Sequence, residues 1–575
     1  MNAKLKNWLR HLTPGKLIIG ILFVWFIMTC IIIPTVNLLG TVFFANGSFS
    51  FEPIQKLLKS KKAMNSLRNS FILAPTLSVT VGIVGISLVL ITEYFDVKGA
   101  NVLRLGYMTT LIYGGIILVS GYKFIYGANG FLTNILVKII PGMNPKWFEG
   151  FDAVLFVMTF SCTSNHMIFL RNAMRAVDFQ TVEAARNMGA GQWYILRRVV
   201  LPVMLPSLLA VTILTFITGL SAMSAPLLVG GTGFQTINPM IKTFADTQTS
   251  KDLAALLSLV LGFATMILLF IKTMIERRGH YMSVSKVKTR IIKQKISNPV
   301  VNVLVHVYAY VLFAIYVLPV ILIVLFSFTS AKSIATRSLK LSEFALDNYI
   351  YLLKNVSNYK PFLVSICYSA LVVGAIVVAA CRIIQKRKNT LTAGALEYSL
   401  MIPWLLPTTL IALSLMLLYN QRHWYMFNQV LTGTMVILLI GYVVIKLPFT
   451  MRMTKAAFFG LDDALEDASR NLGAGEWYTF RRVIFPSILP TVMAIAALNF
   501  NGLLGDYDMS IFLYHPLNKT LGVQIKSLTD ETTNPNSAAL TFVYGVLMMI
   551  ISGIVLYLVY GRGSQDNTRT KARKG

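Results

Sequence analysis

The sequence predicts an all-α membrane protein with about twelve transmembrane helices in two pseudo-symmetric halves of six. Three observations lead to this fold class. Hydrophobic residues make up 55% of the 575 residues and charged residues only 13%, about half the roughly 25% of a typical soluble domain. Many apolar runs reach the ~20 residues that a helix needs to cross a bilayer. One polar segment occurs twice in the chain, at a constant offset.

The apolar runs predict the spans, and only helices are expected because a helix satisfies its own backbone groups in lipid. In the first half the runs cover about 17–43, 69–92, 105–126, 150–170, 203–227 and 253–275. In the second half they cover about 300–328, 362–384, 395–419, 430–449, 487–514 and 539–560. The ninth run contains Pro403 and Pro407, which predicts a kinked or interrupted helix.

Two halves, residues 1–275 and 300–575, are predicted to flank a basic linker over 276–299. Basic clusters precede the first span, fill the linker, follow the eighth span and close the chain, so both termini are predicted to be cytoplasmic. One cluster disagrees with that rule, since it falls in the first external loop: Lys56, Lys59, Lys61 and Lys62. The net charge of +29 is spread over short clusters between apolar runs, so we expect contacts with anionic lipid rather than nucleic acid.

The repeated segment is the most informative feature of the chain. Residues 183–202 read EAARNMGAGQWYILRRVVLP and residues 467–486 read DASRNLGAGEWYTFRRVIFP. Each residue of the second copy stands 284 positions after its counterpart, as Asp467 does after Glu183. A register without gaps indicates two homologous halves in one polypeptide. Each copy is a polar island between apolar runs, within the predicted loops 175–202 and 459–486.

Each copy is predicted to form a helix, a tight bend and a second short helix. The pattern combines a helix-starting acid (Asp178, Asp462), a glycine suited to a left-handed helix end (Gly189, Gly473), a second glycine, an arginine pair and a proline. The second helix is predicted to end at the arginine pair, with the proline opening the next span. The alternative is an interfacial helix anchored by its Trp-Tyr pair. Two copies in one register disfavour it, because anchoring does not require the same glycines and acid.

The repeated segment resembles the EAA motif of the permeases of ABC importers, the inner-membrane component of binding-protein-dependent transport systems. The first copy matches the motif in full, in Glu183, Ala184, Ala185, Gly189, Leu201 and Pro202. The second copy departs conservatively, with Asp467, Ala468 and Ser469 at its start and Phe485 before Pro486. The repeated residues Gly191, Trp193, Gly473, Gly475 and Trp477 are expected to take part with them. The resemblance implies the type I ABC importer permease fold, in which these residues couple the permease to its ATPases.

The resemblance also implies partners, a location and a division of labour. Two copies of an ATPase subunit would bind ATP and Mg, and an extracytoplasmic binding protein would deliver the substrate. This chain would hold no cofactor and would not itself be an enzyme. Its sequence contains no G-x-x-x-x-G-K-[ST] phosphate-binding loop. The expected location is the bacterial cytoplasmic membrane.

Polar residues within apolar spans are the candidates for the substrate path, since they tend to face a bundle interior or water. The fourth span contributes Ser164, Asn165 and His166, for which hydrogen bonds between helices are the alternative, and the ninth contributes Thr408. Asp506 and Asp508 stand where the first half has Ala222 and Ser224. A helix from Pro486 would place them about 30 Å away, at the outer mouth. The alternative is a solvated helix end. The pattern gives no firm metal site.

The substrate expected first is ferric iron, because the layout resembles the fused permeases of ferric iron importers and two acids suit a cation. Aminoethylphosphonate, polyamine and thiamine are the alternatives within the same class, and the external lysines suit an anion better. A secondary transporter driven by an ion gradient is the alternative from another class. The repeated islands favour the importer, because gradient-driven carriers need no duplicated ATPase sockets.

Overall fold

A computed structural model describes residues 14–44, 48–174, 177–278, 293–337, 339–384, 399–459, 461, 464–530 and 535–558. These residues form helices, turns and three isolated β-bridges, with no β-strand among them. The all-α prediction is therefore confirmed. Both chain ends, most of the linker, most of the cluster after the eighth span and Asp462 lie outside the described residues.

The first half contains the following α-helices in chain order: Pro14–Ile27, Ile33–Phe43, Glu52–Lys59, Lys61–Val89, Ala100–Tyr107, Gly115–Tyr126, Phe131–Ile139, Phe151–Met174, Phe179–Asn187, Gln192–Ile195, Leu201–Leu220, Ser224–Val229, Ile237–Ala245 and Lys251–Arg278. Three π-helical segments continue or join them: Met28–Ile32, Leu90–Tyr94 and Leu196–Val200. Two short 3₁₀ turns are Thr109–Leu111 and Gln248–Ser250.

The second half contains these α-helices: Pro299–Ser327, Ala331–Thr336, Asp347–Lys354, Val356–Ile384, Thr408–Leu418, Met435–Phe459, Ala464–Asn471, Glu476–Thr479, Phe485–Leu504, Ser510–Leu513, Leu521–Asp530 and Pro535–Leu556. One π-helical segment, Phe480–Ile484, stands where the first half has Leu196–Val200. The 3₁₀ turns are Leu341–Glu343, Ile402–Leu405 and Trp424–Met426.

Ten helices in the described part of the chain are long and apolar enough to span a membrane, and the number rises to twelve if two bent helix pairs each count as one span. The ten are Gly20–Phe43, Lys61–Tyr94, Phe151–Met174, Gln192–Leu220, Lys251–Ile275, Pro299–Ser327, Val356–Val377, Met435–Phe458, Trp477–Leu504 and Asn536–Leu556. The bent pairs are the third and ninth predicted spans. The twelve predicted runs thus all correspond to helical segments.

Both bent pairs turn sharply at a short break. Ala100–Leu111 and Gly115–Ile139 meet at 112°, and Ser399–Leu405 and Thr408–Leu418 meet at 113°. In the second pair, Pro407 begins the new helix with ψ of 145°, outside the helical region, and the residue before a proline avoids the α conformation. The predicted interruption of the ninth span is therefore confirmed.

The fifth and eleventh spans differ from their predicted bounds. They were expected over about 203–227 and 487–514, but the structure places continuous helices at Gln192–Leu220 and Trp477–Leu504. Hydropathy alone extended the spans through the apolar residues that follow, whereas the chain breaks after Leu220 and Leu504. A separate short helix follows each break, Ser224–Val229 and Ser510–Leu513.

Each half is built around three packed helices. In the first half Lys61–Val89, Phe151–Met174 and Leu201–Leu220 pack on one another, and Gly219 lies against Ala74, so close that a Cβ on Gly219 would come within 2.7 Å of the Ala74 Cα. Close approach at small residues is typical of helices packed in lipid. The equivalent trio in the second half is Val356–Ile384, Met435–Phe459 and Phe485–Leu504.

A pair of cross-helix hydrogen bonds shows that the 284-residue register extends into the membrane-spanning core. In the first half the His166 ring lies 3.3 Å from the Thr215 hydroxyl. At the equivalent positions of the second half, the Asn499 amide donates to the Thr450 hydroxyl over 2.8 Å. Different residue types therefore make the same contact between the fourth and fifth spans of each half.

Candidate functional site

The first elbow, residues 178–202, bends at a glycine as predicted. Its first helix begins at Asp178, whose carboxylate accepts a hydrogen bond from the Gln180 backbone N–H over 3.0 Å. The helix ends at Gly189, whose φ of +84° lies in the left-handed region. Only glycine enters this region without strain. The Gly189 and Ala190 N–H groups close the helix end with bonds of 2.9 and 3.0 Å, a common helix-ending motif.

The second elbow, residues 464–486 of the described chain, repeats this bend. Gly473 has a φ of +81°, and the N–H groups of Gly473 and Ala474 donate to carbonyls over 2.9 and 3.1 Å. Its helix also carries an ion pair between Glu466 and Arg470 at 2.7 Å. The predicted left-handed helix ends are confirmed in both copies. The predicted starting acid is confirmed for Asp178, while Asp462 lies outside the described residues.

The inner side of each bend is closed by a different contact. In the first elbow the buried side chains Ala185 and Ile195 occupy this position. In the second elbow their counterparts are Ser469 and Thr479, also buried, whose hydroxyls lie 2.9 Å apart. A buried polar group is tolerated when it has a hydrogen-bond partner. The departure from the motif at Ser469 is therefore accommodated within the elbow.

The outer side of each bend exposes large apolar side chains. Met188 and Trp193 are 81% and 70% exposed, and their counterparts Leu472 and Trp477 are 88% and 54% exposed. Most of the other predicted coupling residues are also exposed: Glu183, Ala184, Gly189, Gly191, Pro202, Asp467, Ala468, Gly473, Gly475 and Pro486. Exposed apolar groups set among polar residues are typical of a protein interaction surface.

The second helix of each elbow runs on into a span, which corrects the prediction of a separate short helix ending at the arginine pair. A five-residue π-helical segment carries the two arginines, and the proline follows within the first two residues of the next helix. A proline has no N–H and collides with the preceding turn of a regular α-helix. A π-segment is one way in which a helix absorbs such a disruption. Elbow and span are therefore one continuous helix.

The end of the linker contacts the first elbow. Gln294 pairs with the end of the second span through backbone bonds to Tyr94 and Asp96 of 2.8 and 3.0 Å. The Gln294 side-chain oxygen accepts from Arg186 over 3.2 Å. Gln192 of the elbow donates to the Lys295 carbonyl and accepts from Ser297 N–H. The linker thus holds one side of the first elbow.

A cavity of about 370 Å³ lies between the two halves, on the side away from the elbows. The 20-residue helix Leu201–Leu220 covers about 30 Å, and Met223 of the cavity wall follows its end. Five pairs of positions related by the repeat line the wall: Met223 and Tyr507, Leu227 and Ile511, Pro239 and Val523, Lys242 and Lys526, Thr243 and Ser527. Asp246 of the first half, and Tyr514 and Lys519 of the second half, line it without a counterpart. We call this space the central cavity.

A second repeated segment supplies the charged wall of the central cavity, and the sequence-based reasoning missed it. Residues 241–246 read IKTFAD, and residues 525–530, which are 284 positions later, read IKSLTD. The signal was present in the sequence, since extending the known offset would have found it. Lys242 forms an ion pair with Asp246 and lies 5.9 Å from the centre of the Phe512 ring, which belongs to the other half.

The predicted path residues do not line the central cavity. Ser164 donates to the Tyr107 carbonyl over 2.6 Å, and the His166 ring lies 3.3 Å from the Thr215 hydroxyl, so both make the hydrogen bonds between helices that were the alternative for this run. Asn165 is exposed, and Thr408 begins the helix after the ninth-span bend. Its neighbour Thr409 bridges the halves by a bond of 2.9 Å to Asn238.

Asp506 and Asp508 follow the break after Leu504, and Asp506 contacts the tenth span. Asp506 accepts hydrogen bonds from the Tyr442 hydroxyl over 3.2 Å and from the Ser510 N–H over 3.0 Å. Tyr442 stands seven residues, about 10 Å, inside the helix that begins at Met435. The chain breaks after Leu504, and the short helix Ser510–Leu513 packs on that helix. Asp506 therefore lies beside the tenth span and not on a continuation of the eleventh. Among the described residues, no group of three or more His, Cys, Asp or Glu side chains is arranged to hold a metal ion.

Comparison with known proteins gives a consistent picture. The family model described as "Binding-protein-dependent transport system inner membrane component" matches residues 116–279 and 370–565. A probable ABC transporter permease, y4fN of Sinorhizobium fredii, is 38% identical over 94% of this chain and 95% of its own length. The ferric transport system permease FbpB of Actinobacillus pleuropneumoniae is 20% identical over 98% of this chain and 81% of its own. A putative 2-aminoethylphosphonate permease, PhnV of Salmonella typhimurium, is 27% identical over 26% of this chain and 55% of its own.

Proposed function

The chain belongs to the family of inner-membrane components of binding-protein-dependent transport systems, and from that premise we propose that it forms the substrate path of an ATP-driven importer. Its two halves, 1–275 and 300–575, would work as a pair around one path. Members of this family are transport components, and the chain is a multi-pass membrane protein. The gradient-driven carrier considered from the sequence is set aside, because the family match covers both halves.

The observation that carries the proposal is the pair of matching elbows. Both bend at a left-handed glycine, both expose an apolar residue beside a Trp-Tyr pair, and both continue directly into a span. A continuous helix transmits a push on the elbow to the membrane-spanning part of the same half. Two equivalent surfaces fit two copies of one ATPase subunit, which would hold the ATP and Mg, so this chain needs no cofactor.

The remaining partners follow from the same arrangement. An extracytoplasmic binding protein would deliver its cargo on the face that holds the central cavity, opposite the elbows. Both termini and the linker would then be cytoplasmic, on the side of the ATPases. The basic clusters of the sequence support that orientation.

The substrate proposal stays with the one expected first, and it rests on resemblance. Ferric transport permeases match 98% and 86% of this chain at 20% and 21% identity. The two acids support it less than expected, because Asp506 is engaged by Tyr442 and Ser510. The wall of the central cavity carries both lysine and aspartate side chains, and Lys242 is paired with Asp246. We therefore propose ferric iron, with aminoethylphosphonate, polyamine and thiamine as the alternatives.

Copurification tests the importer proposal. The tagged full-length chain is extracted from its native membrane in mild detergent, and an ATPase subunit is expected in the eluate at two copies per chain. Met188→Glu combined with Leu472→Glu replaces the exposed apolar side chain of each elbow by a charged one and should release the ATPase. Leu517→Glu is the matched control, because Leu517 is 79% exposed and lies outside the elbows. An ATPase retained by the double variant, or absent from the unchanged chain, contradicts the proposal.

A further inference from the structure

We propose that the end of the linker, residues 293–297, forms part of the docking surface for one ATPase subunit at the first elbow. The second elbow offers a different surface to the other subunit, because its first helix is braced by an ion pair of its own. This inference rests on the proposed import function and adds to it, since two copies of one partner would meet two chemically different elbows.

Hydrogen bonds tie the linker end to both helices of the first elbow. Gln192 opens the second elbow helix, and its side-chain amide donates to the Lys295 carbonyl and accepts from the Ser297 N–H over 3.3 Å. A glutamine side chain can pair in this way because it carries both a donor and an acceptor. Arg186, in the first elbow helix, donates to the Gln294 side chain over 3.2 Å.

Backbone hydrogen bonds hold the same linker segment against the protein. The Gln294 N–H donates to the Tyr94 carbonyl over 2.8 Å, and the Asp96 N–H donates to the Gln294 carbonyl over 3.0 Å. Three residues after the Lys295 carbonyl is held by the elbow, the Asn298 side chain caps the seventh-span helix. The segment is therefore bonded at both ends and lies beside the first elbow as part of its surface.

The equivalent arginine of the second elbow has a different partner. Arg470 stands 284 positions after Arg186 and forms an ion pair with Glu466, one turn earlier in the same helix, at 2.7 Å. The first elbow has the buried Val182 in place of that acid. The linker therefore supplies Arg186 with an acceptor that the second elbow carries in its own helix.

The two elbows also differ in charge. Glu476 stands where the first elbow has Gln192, and a carboxylate has no N–H to donate to a linker carbonyl. Positions 178–202 contain two acids and positions 462–486 contain five, while each range contains three arginines. The first elbow is therefore net positive and the second net negative.

The linker lies on the side of the first elbow that a partner would reach. Gln192 directly precedes Trp193, whose side chain is 70% exposed on the outer side of the bend. Lys293 and Lys295 of the linker are exposed as well, and Gln192 holds the Lys295 carbonyl. A subunit that covers Trp193 therefore meets the ammonium groups of the linker together with the elbow.

Photocrosslinking tests whether the linker contacts the ATPase. Lys295 is replaced by the photoreactive p-benzoylphenylalanine in the full-length chain, and irradiation of the copurified complex should crosslink this position to the ATPase subunit. The same replacement of Lys340, also an exposed lysine but beyond the far end of the seventh span, is the matched control and should give no such crosslink. Absence of the crosslink at position 295, in a complex that retains its ATPase, contradicts the proposal.

Subunit counting tests whether the linker contacts matter for docking. Gln192→Glu gives the first elbow the residue of the second, and its carboxylate repels the Lys295 carbonyl. Native mass spectrometry should show the share of chains with two ATPase subunits falling about tenfold, because hydrogen bonds that shape one docking surface are lost. Chains with one subunit should replace them, since the second elbow is unaltered. Gln192→Ala with Gln294→Ala is the second variant and should have the same effect.

The matched control is Gln55→Ala with Gln421→Ala, because both glutamines are exposed and lie outside the elbows and the linker. It should retain two subunits. Trypsin gives a measurement without the ATPase: cleavage after Lys295 should be faster in Gln192→Glu than in the unchanged chain, and cleavage after the exposed Lys59 should not change. A variant that still carries two subunits overturns the inference, even if its linker is cleaved faster.

This inference and the proposed function can fail separately. An unchanged chain that retains no ATPase contradicts the import function itself. An unchanged chain that retains two subunits, together with Gln192→Glu chains that also retain two, keeps the import function and removes only the role of the linker in docking.

Discussion

Ser469 and Thr479 form a buried pair of polar side chains inside the second elbow. Their hydroxyls lie 2.9 Å apart inside the second bend, where the first bend has Ala185 and Ile195. Each half thus contains a self-consistent pair, one polar and one apolar. The serine that departs from the motif faces inward and leaves the exposed surface of the elbow unchanged.

Replacing this polar pair by the apolar pair of the first elbow tests whether the two side chains of a pair stabilise the elbow together. Ser469→Ala leaves the buried Thr479 hydroxyl without its partner, which should destabilise the elbow by about 1–3 kcal/mol. Ser469→Ala with Thr479→Ile recreates the apolar pair of the first elbow and should recover most of that loss. Limited proteolysis of the second elbow measures its stability. A double variant that is cleaved as fast as the single one would show that they do not.

Asp506 has a local structural role that its neighbour Asp508 does not share. It accepts from Tyr442 of the tenth span and from the N–H of Ser510, and so fixes the chain where it breaks after Leu504. No hydrogen bond reaches the Asp508 carboxylate from the residues that the structure describes. The two acids, which the sequence treated as a pair, therefore differ.

Alanine substitution distinguishes the two acids. Asp506→Ala leaves two buried donors unpaired, and each costs about 1–3 kcal/mol, so a clear drop in the thermal unfolding midpoint of the purified chain is expected. Asp508→Ala is the control and should change the midpoint little. Equal shifts for both variants would show that Asp506 does not anchor the break.

At the scale of elements, each elbow shares one continuous helix with the span that follows it. The helices Gln192–Leu220 and Trp477–Leu504 run from the exposed elbow surface to the break beside the central cavity. Their π-segments absorb the prolines without interrupting the helix. The two helices end at Leu220 and Leu504, shortly before the cavity-wall residues Met223 and Tyr507. Each of these helices is therefore a direct connection between an elbow and the cavity wall of the same half.

Replacing the glycine at each bend tests whether the bend before these helices is needed for ATPase docking. Gly189→Ala and Gly473→Ala force an L-residue into a left-handed conformation, at a cost of about 1–2 kcal/mol each, and should reduce the ATPase retained on copurification. Gly40→Ala and Gly374→Ala are the controls. Both glycines lie in helices outside the elbows, and neither has a neighbour within 4 Å of an added Cβ. If both pairs retain ATPase equally, the left-handed bend is not needed for docking.

At the scale of the whole molecule, the halves are interlocked rather than side by side. The seventh span, Pro299–Ser327, packs on Ala100–Tyr107 of the first half, and the ninth-span helix Thr408–Leu418 packs on Ile33–Phe43. Thr409 bonds Asn238 across the boundary. The two halves therefore share a packed boundary, and residues of both halves line the central cavity.

Ion pairs account for part of the basic cluster after the first span, in the loop that the orientation proposal places outside the cell. Lys56 lies 3.3 Å from Glu52 and 3.1 Å from Asp252, and the Asp252 hydrogen bond raises the pKa of Lys56 above its usual value. Its charge is balanced by two carboxylates, which makes the loop less basic than its sequence indicates.

Cysteine labelling tests the orientation of the whole chain. In a background without native cysteines, Lys295→Cys beside the first elbow should stay unlabelled by an impermeant maleimide on intact cells. Lys340→Cys, in the loop after the seventh span, should react. Both positions are exposed, so accessibility of the side chain does not limit either reaction. The reverse pattern would place the elbows outside and contradict the orientation.

The sequence by itself determined the fold class, the helical segments, the repeat and the bend at each elbow. These features depend on local chemistry: apolar run length, the conformational freedom of Gly189 and Gly473, and the break at Pro407. The fixed offset of 284 carried the information for both the elbows and the lysine pair, although only the elbows were recognised.

Only the tertiary structure decided which residues meet. It packed Ser164 and His166 into helix contacts, placed Asp506 beside Tyr442, and brought Lys242 and Lys526 to one cavity from positions 284 residues apart. Where a helix breaks and folds back depends on what packs against it, and hydropathy does not report that. The position of an intramembrane polar residue along the sequence therefore does not reveal whether it faces a neighbouring helix or an open cavity.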